Sequence, residues 1–171
     1  SFLNKIVFVG NMRTLQNQDA VFCFVQEIFP RILKQKPDTK FYIVGAQPPQ
    51  SIQLLASDNI FVTGFVEDIE DTICDACLTI APVRVAAGIQ NKVLVAMSCG
   101  IPVVMTSLIS NPIPELKHEE NCLIQDEPAT LADACLRIMN HPDLRQQLAI
   151  NGYEMVKRHY SWKDKIYGYV R

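Results

Sequence analysis

Short apolar runs, too brief for helices and without a polar face, recur along this chain and alternate with stretches of helical periodicity. Lys5-Ile-Val-Phe-Val-Gly10, Lys40-Phe-Tyr-Ile-Val-Gly45, Ile60-Phe-Val-Thr63, Leu78-Thr-Ile-Ala81 and Pro102-Val-Val-Met105 read as strands. Cys122-Leu-Ile124 reads as a short sixth. Between the first two, Val21, Phe22, Val25, Ile28, Phe29 and Ile32 fall at helical spacing, with Asp19 expected as N-cap and Pro37 as the stop. Further helices are expected near 51–56, over 67–76, over 91–99 with Gly100 as its C-terminal stop, over 128–140, over 142–159, and from Ser161 onward. A strand apolar on both faces must be covered on both, and alternation with helices calls for parallel pairing. The expected fold class is therefore α/β: a Rossmann-like parallel sheet of about six strands, helices on both faces, right-handed crossovers.

The 171 residues contain no internal repeat and no low-complexity linker, so 1–171 is read as a single domain. Sixteen basic against eighteen acidic residues leave no cationic surface for nucleic acid. No apolar run approaches the roughly 20 residues of a transmembrane segment, and no secretory leader pattern is present. The chain opens directly on a strand, as it would had an N-terminal region been cut away. Six cysteines are too sparse for a disulfide scaffold and suit a reducing, cytoplasmic setting. Cys74-Asp-Ala-Cys77 has half-site spacing but no second pair, and the three histidines lie far off in sequence. It is read as two small buried residues at a helix end, with no metal site.

In an open parallel sheet, ligands gather beyond the carboxyl ends of the strands. The loops there begin at Gly10, Gly45, Gly64 and Ala81, and three of the four begin with glycine, which lets backbone approach a ligand closely. The fourth, Pro82-Val-Arg-Val-Ala-Ala-Gly-Ile-Gln-Asn-Lys92, leads into a helix. A glycine-led turn at a helix N-terminus offers free N–H groups to an anion such as a diphosphate, flanked here by Arg84 and Lys92. On the bland reading Asn91 is an N-cap and Lys92 a solvated first-turn residue. There is no GxxxxGK[ST] loop, and the loop after the first strand lacks GxGxxG.

Gly88-Ile-Gln-Asn-Lys-Val-Leu-Val-Ala-Met-Ser-Cys-Gly-Ile-Pro-Val-Val104 resembles the signature of family-4 retaining glycosyltransferases of GT-B fold, and most nearly a bacterial subgroup with GIQNK before the helix. The resemblance runs over nearly the whole chain: Gly10-x-Met12, Asn17-x-Asp19-Ala20, Phe41-Tyr-Ile-Val-Gly45, Val62-x-Gly-Phe-Val-x-Asp68, Pro114-Glu115-Leu116, Glu120-Asn121, Leu144-Arg145, Gly152 and Tyr160-Ser161-Trp162. It implies the C-terminal half of a GT-B enzyme, binding a nucleoside-diphosphate sugar as donor substrate with neither cofactor nor metal. The missing N-terminal domain would carry the acceptor site and any peripheral attachment to the inner membrane. Polysaccharide or glycoconjugate synthesis is the implied setting, and the isolated half would be inactive.

By the same resemblance the donor site comprises Gly10, Asn11, Gly45, Gly64, Phe65, Val66, Arg84, Gly88, Ile89, Gln90, Asn91 and Lys92, with no catalytic residue assigned. Gly10 and Asn11 would meet the diphosphate or sugar, and the Gly64-Phe65-Val66 turn the base. Transfer in the family is described as front-face attack without a protein nucleophile. Two family glutamates are replaced here by Ala87 and Val95, and a basic pair of the first loop by Asn11 and Gln16. These losses leave a second reading open, a non-catalytic degenerate paralogue keeping the fold as an interaction module. The terminal helix resembles one that packs across the domain junction, and an apolar face exposed there would promote self-association.

Overall fold

The computed structural model describes residues 4–85 and 92–160. Six strands form one sheet in the order β3-β2-β1-β4-β5-β6. They are β1 (Lys5–Val9), β2 (Lys40–Val44), β3 (Ile60–Gly64), β4 (Leu78–Ala81), β5 (Val103–Met105) and β6 (Leu123–Ile124). All pairings are parallel, and central β1 sets Ile6 beside Phe41 of β2 and Leu78 of β4. Ile6, Val7 and Phe8 are wholly buried, as expected of a strand covered on both faces.

The first helical stretch is α1 (Leu15–Cys23), a π turn over Phe24–Ile28, and α2 (Phe29–Gln35). It starts four residues earlier than Asp19, from an extended Thr14, so Asp19 is not the N-cap but an interior helical residue. The π turn has a local cause. Pro30 has no N–H, and its ring would press on the carbonyl of Gln26 in a regular helix. The widened turn instead carries the Phe29 N–H to the Phe24 carbonyl. Next come α3 (Gln50–Gln53), shorter than the stretch expected over 51–56, α4 (Ile69–Ile73), and α5 (Lys92–Ser98). Gly100 closes α5 with φ +73°, where glycine is favoured. An unanticipated helix, α6 (Ser107–Ser110), starts where the Asp126 carboxylate accepts from the Ser107 N–H and Oγ at 2.8 and 2.9 Å. The last two, α7 (Pro128–Asn140) and α8 (Pro142–His159), each open on a proline, whose missing N–H costs nothing there. The helix expected from Ser161 lies outside the described residues.

Right-handed crossovers running in opposite directions from β1 and β4 put α1 and α5 on opposite faces. The contacts agree: the π turn and α2 pack on α7, whereas α5 packs on α4 and α8. Phe24, Phe29 and Phe41 fill the first layer, with ring centroids 4.2–5.8 Å apart. Of the two spaced cysteines, Cys77 is buried but Cys74, the residue that caps the C-terminus of α4, is exposed.

Candidate functional site

The strand order reverses between β1 and β4, since β2 and β3 lie to one side and β5 and β6 to the other. The crevice beyond the carboxyl ends of these two strands is where such a sheet takes a ligand. Its β1 bank is built by close backbone contact. The Gly10 N–H donates to the Val44 carbonyl at 2.9 Å, and the Met12 N–H to the Ala46 carbonyl at 3.0 Å. A Cβ on Gly45 would lie 1.7 Å from the Gly10 carbonyl oxygen, so no other residue fits at that position. Met12 is wholly buried and anchors the loop, while Asn11 is exposed at its tip. The Asn11 side-chain oxygen accepts from the Arg13 N–H at 2.9 Å, closing a tight turn. Further along the rim, Gly64 takes φ +70°, its carbonyl accepts from the Gly45 N–H at 3.3 Å, and Phe65 beyond it is 73% exposed. Val66 packs partly against the core.

On the β4 bank, Arg84 is engaged by carboxylates. Its Nε and Nη2 reach both oxygens of Asp19 at 3.0 and 3.2 Å, and Nη1 reaches Glu27 at 3.3 Å. The hydrogen bonding it donates to Asp19 is the main cause holding the guanidinium above its ordinary range. Asp19 and Glu27 lie eight residues apart across the end of α1 and the π turn, so this ion pair ties the loop after β4 to that face.

Lys92, at the start of α5, is 7% exposed, neither solvated nor presented on the rim. Its Nζ donates to Asn17 Oδ1 at 2.8 Å and stands 4.2 Å from the Phe8 ring centroid. Burial pushes the ammonium down to about 7. Asn17, 6% exposed on α1, passes the contact on, its Nδ2 donating to the Asn11 carbonyl at 2.9 Å. Sequence reading placed Asn17 within a family resemblance but not in the site. Its one local signal is a polar residue within the buried side of α1. Gly10, Asn11 and Lys92 are thus brought together, Gly45 abuts Gly10, and Gly64 to Val66 extend the same rim. Gly88, Ile89, Gln90 and Asn91 lie outside the described residues, as does Ala87. Val95 is 1% exposed in the core.

Among the described residues no group of three or more His, Cys, Asp or Glu is arranged to hold a metal ion. Two open clefts, of about 640 and 470 Å³, lie elsewhere and include none of the rim residues.

The family model described as Glycosyl transferases group 1 matches residues 4–141. The chain belongs to the group 1 glycosyl transferases. This group 1 domain is 22% identical over 168 residues to an uncharacterized 44.6 kDa protein in the cps region of Klebsiella pneumoniae. The match covers 93% of this chain but 43% of that relative, so the chain spans less than half its length. Among solved structures, an S. aureus TarM mutant in complex with fondaparinux, alpha-GlcNAc-glycerol and UDP matches with TM-score 0.78 at 20% identity. That match covers 96% of this chain and 34% of TarM. The C-terminal domain of the group 1 glycosyl transferase LpcC from Francisella tularensis matches with TM-score 0.71 at 19% identity, over 91% of this chain and 85% of that one. The group 1 domain has the Rossmann-like fold of a GT-B half, as the sequence pattern predicted.

Proposed function

We propose that this domain is the donor-binding, C-terminal half of a retaining GT-B glycosyltransferase that holds the diphosphate of a nucleotide sugar beyond β1 and β4. The observation that carries this reading is the convergence at one switch point of the Gly10–Gly45 backbone contact and the buried Lys92–Asn17 pair. In this reading Gly10, Asn11 and Gly45 border the diphosphate, and the turn at Gly64, Phe65 and Val66 borders the base. Gly88, Ile89, Gln90 and Asn91, outside the described residues, remain candidates for the phosphates from their sequence alone. Arg84 joins only by leaving Asp19 and Glu27. UDP in the TarM mutant supports a uridine nucleotide. The greater length of the relatives supports a second, acceptor-binding domain as partner.

The transfer is front-face and independent of metal. The bond from the anomeric carbon to the phosphate oxygen breaks as the bond to the acceptor oxygen forms on the same side. The acceptor proton passes to the departing phosphate. The protein's part is electrostatic, presenting fixed donors to the charge that develops on the leaving diphosphate. Bacterial polysaccharide or glycoconjugate assembly suits the cps-region relative, and six free cysteines suit a reducing compartment. Among the described residues no helix is long and apolar enough to cross a membrane.

Calorimetric titration tests the reading. UDP is expected to bind this chain at sub-millimolar concentration, UMP more weakly and uridine weakest, with Lys92→Ala weakening UDP about tenfold. Failure of UDP, GDP and ADP all to bind at millimolar concentration overturns it. Turnover is not expected without the acceptor-binding domain.

A further inference from the structure

A lysine meant to touch a bound phosphate would present its ammonium to the open rim. Lys92 does the reverse: 7% exposed, it turns its Nζ inward onto Asn17 Oδ1 at 2.8 Å and onto the Phe8 ring. An ammonium only donates and a backbone carbonyl only accepts, so Asn17 has one orientation that serves both neighbours, Oδ1 toward Lys92 and Nδ2 toward the Asn11 carbonyl. Asn17 also sits hard against the loop's first residue. A Cβ on Gly10 would come within 2.7 Å of Asn17 Nδ2. The Asn11 carbonyl that Asn17 holds accepts from Thr14 Oγ1 as well, at 3.2 Å, and so fixes the turn leading into α1. The chain of contacts therefore runs from α5 on one face of the sheet, across the crevice, to α1 and the loop after β1.

We infer that Lys92 is a positioning residue: through Asn17 it holds the loop Gly10–Thr14 in the shape that receives the diphosphate, without touching the phosphates itself. Asn17 is thereby assigned to the binding machinery as the link. The inference rests on nucleotide binding at this crevice, but its geometric half can be tested without ligand. Burial supports it, since among the described residues the hydrogen-bond partner of the Lys92 Nζ is the Asn17 amide oxygen, with the Phe8 ring face beside it.

The experiment is a double-mutant cycle on this chain, using Lys92→Met, Asn17→Ala and the combination, read by UDP affinity and by backbone amide NMR shifts of the free protein. Each single change is expected to weaken UDP about tenfold, and the double change no more than the worse single one, because both cut the same chain. Both should shift one shared set of amides, Asn11 to Thr14, with the amides of β5 and α7 unmoved. Losses that multiply to about a hundredfold, or Lys92→Met leaving the Asn11–Thr14 amides in place while binding falls, would mean direct phosphate contact and overturn the relay. If the unaltered chain binds none of UDP, GDP and ADP, the functional reading fails. The relay is then decided by the amides alone: a shared shifted set supports it, disjoint sets overturn it.

Discussion

Two single positions show how closely local chemistry is held at the sheet. At Gly45 the steric case is unconditional, because a methyl group would sit 1.7 Å from the Gly10 oxygen. Gly45→Ala is expected to cost at least about 3 kcal/mol, the upper end of overpacking, and to abolish UDP binding. A urea-unfolding midpoint within error of the parent would refute this. Thr79 on β4 is the opposite case. It is 2% exposed, and its hydroxyl is the buried side-chain polar atom without a hydrogen-bond partner among the described residues. Valine has nearly the same shape and no polar atom to desolvate, so Thr79→Val should raise stability by about 1 kcal/mol. A lower unfolding temperature in the variant would count against the orphaned hydroxyl.

Elements divide into those whose boundaries are written locally and those that depend on distant partners. Strand β4 and helices α7 and α8 lie where the sequence predicts, because apolar runs and opening prolines are local signals. The start of α1 was misread because Asp19 looks like a cap, yet its carboxylate serves Arg84, 65 residues away. Helix α6 was missed because its cap comes from Asp126, beyond another strand. Burial of Lys92 was equally illegible, since a lysine opening a helix ordinarily faces water and only the packing of two layers encloses this one. The Arg84 clamp yields a prediction at this scale. The guanidinium is half exposed, so Asp19→Asn should alter stability by no more than about 1 kcal/mol. If Arg84 moves to the diphosphate, the same change releases it and should tighten UDP about threefold. Affinity that stays level in calorimetry would leave Arg84 a structural clamp only.

The whole molecule joins these parts in its dependence on pH. Lys92 is pushed by burial from 10.5 down to about 7, so between those values the unfolded chain binds a proton that the folded one lacks. Stability therefore rises with pH from about 7, at no more than roughly 1.4 kcal/mol per pH unit. Buried thiols act in the other direction. Burial raises Cys23 to about 11 and Cys122 to about 12 from 9.0, and Cys77 and Cys135 move the same way. Above about 9 the unfolded thiols ionise while the folded ones stay protonated, and stability falls. Urea midpoints under reducing conditions should peak near pH 9, and Lys92→Met should flatten the rise below the peak while sparing the decline above it. A rise that survives in Lys92→Met would assign it to another group. Finally, the glycine contact at the tips of β1 and β2 makes one lip of two loops. The amides of Gly10, Met12 and Gly45 are bonded to Val44, Ala46 and Gly64 in turn, so opening one breaks its neighbour. Their protons should trade with deuterated solvent at a common rate, and three unlike rates would mean that the two loops open separately.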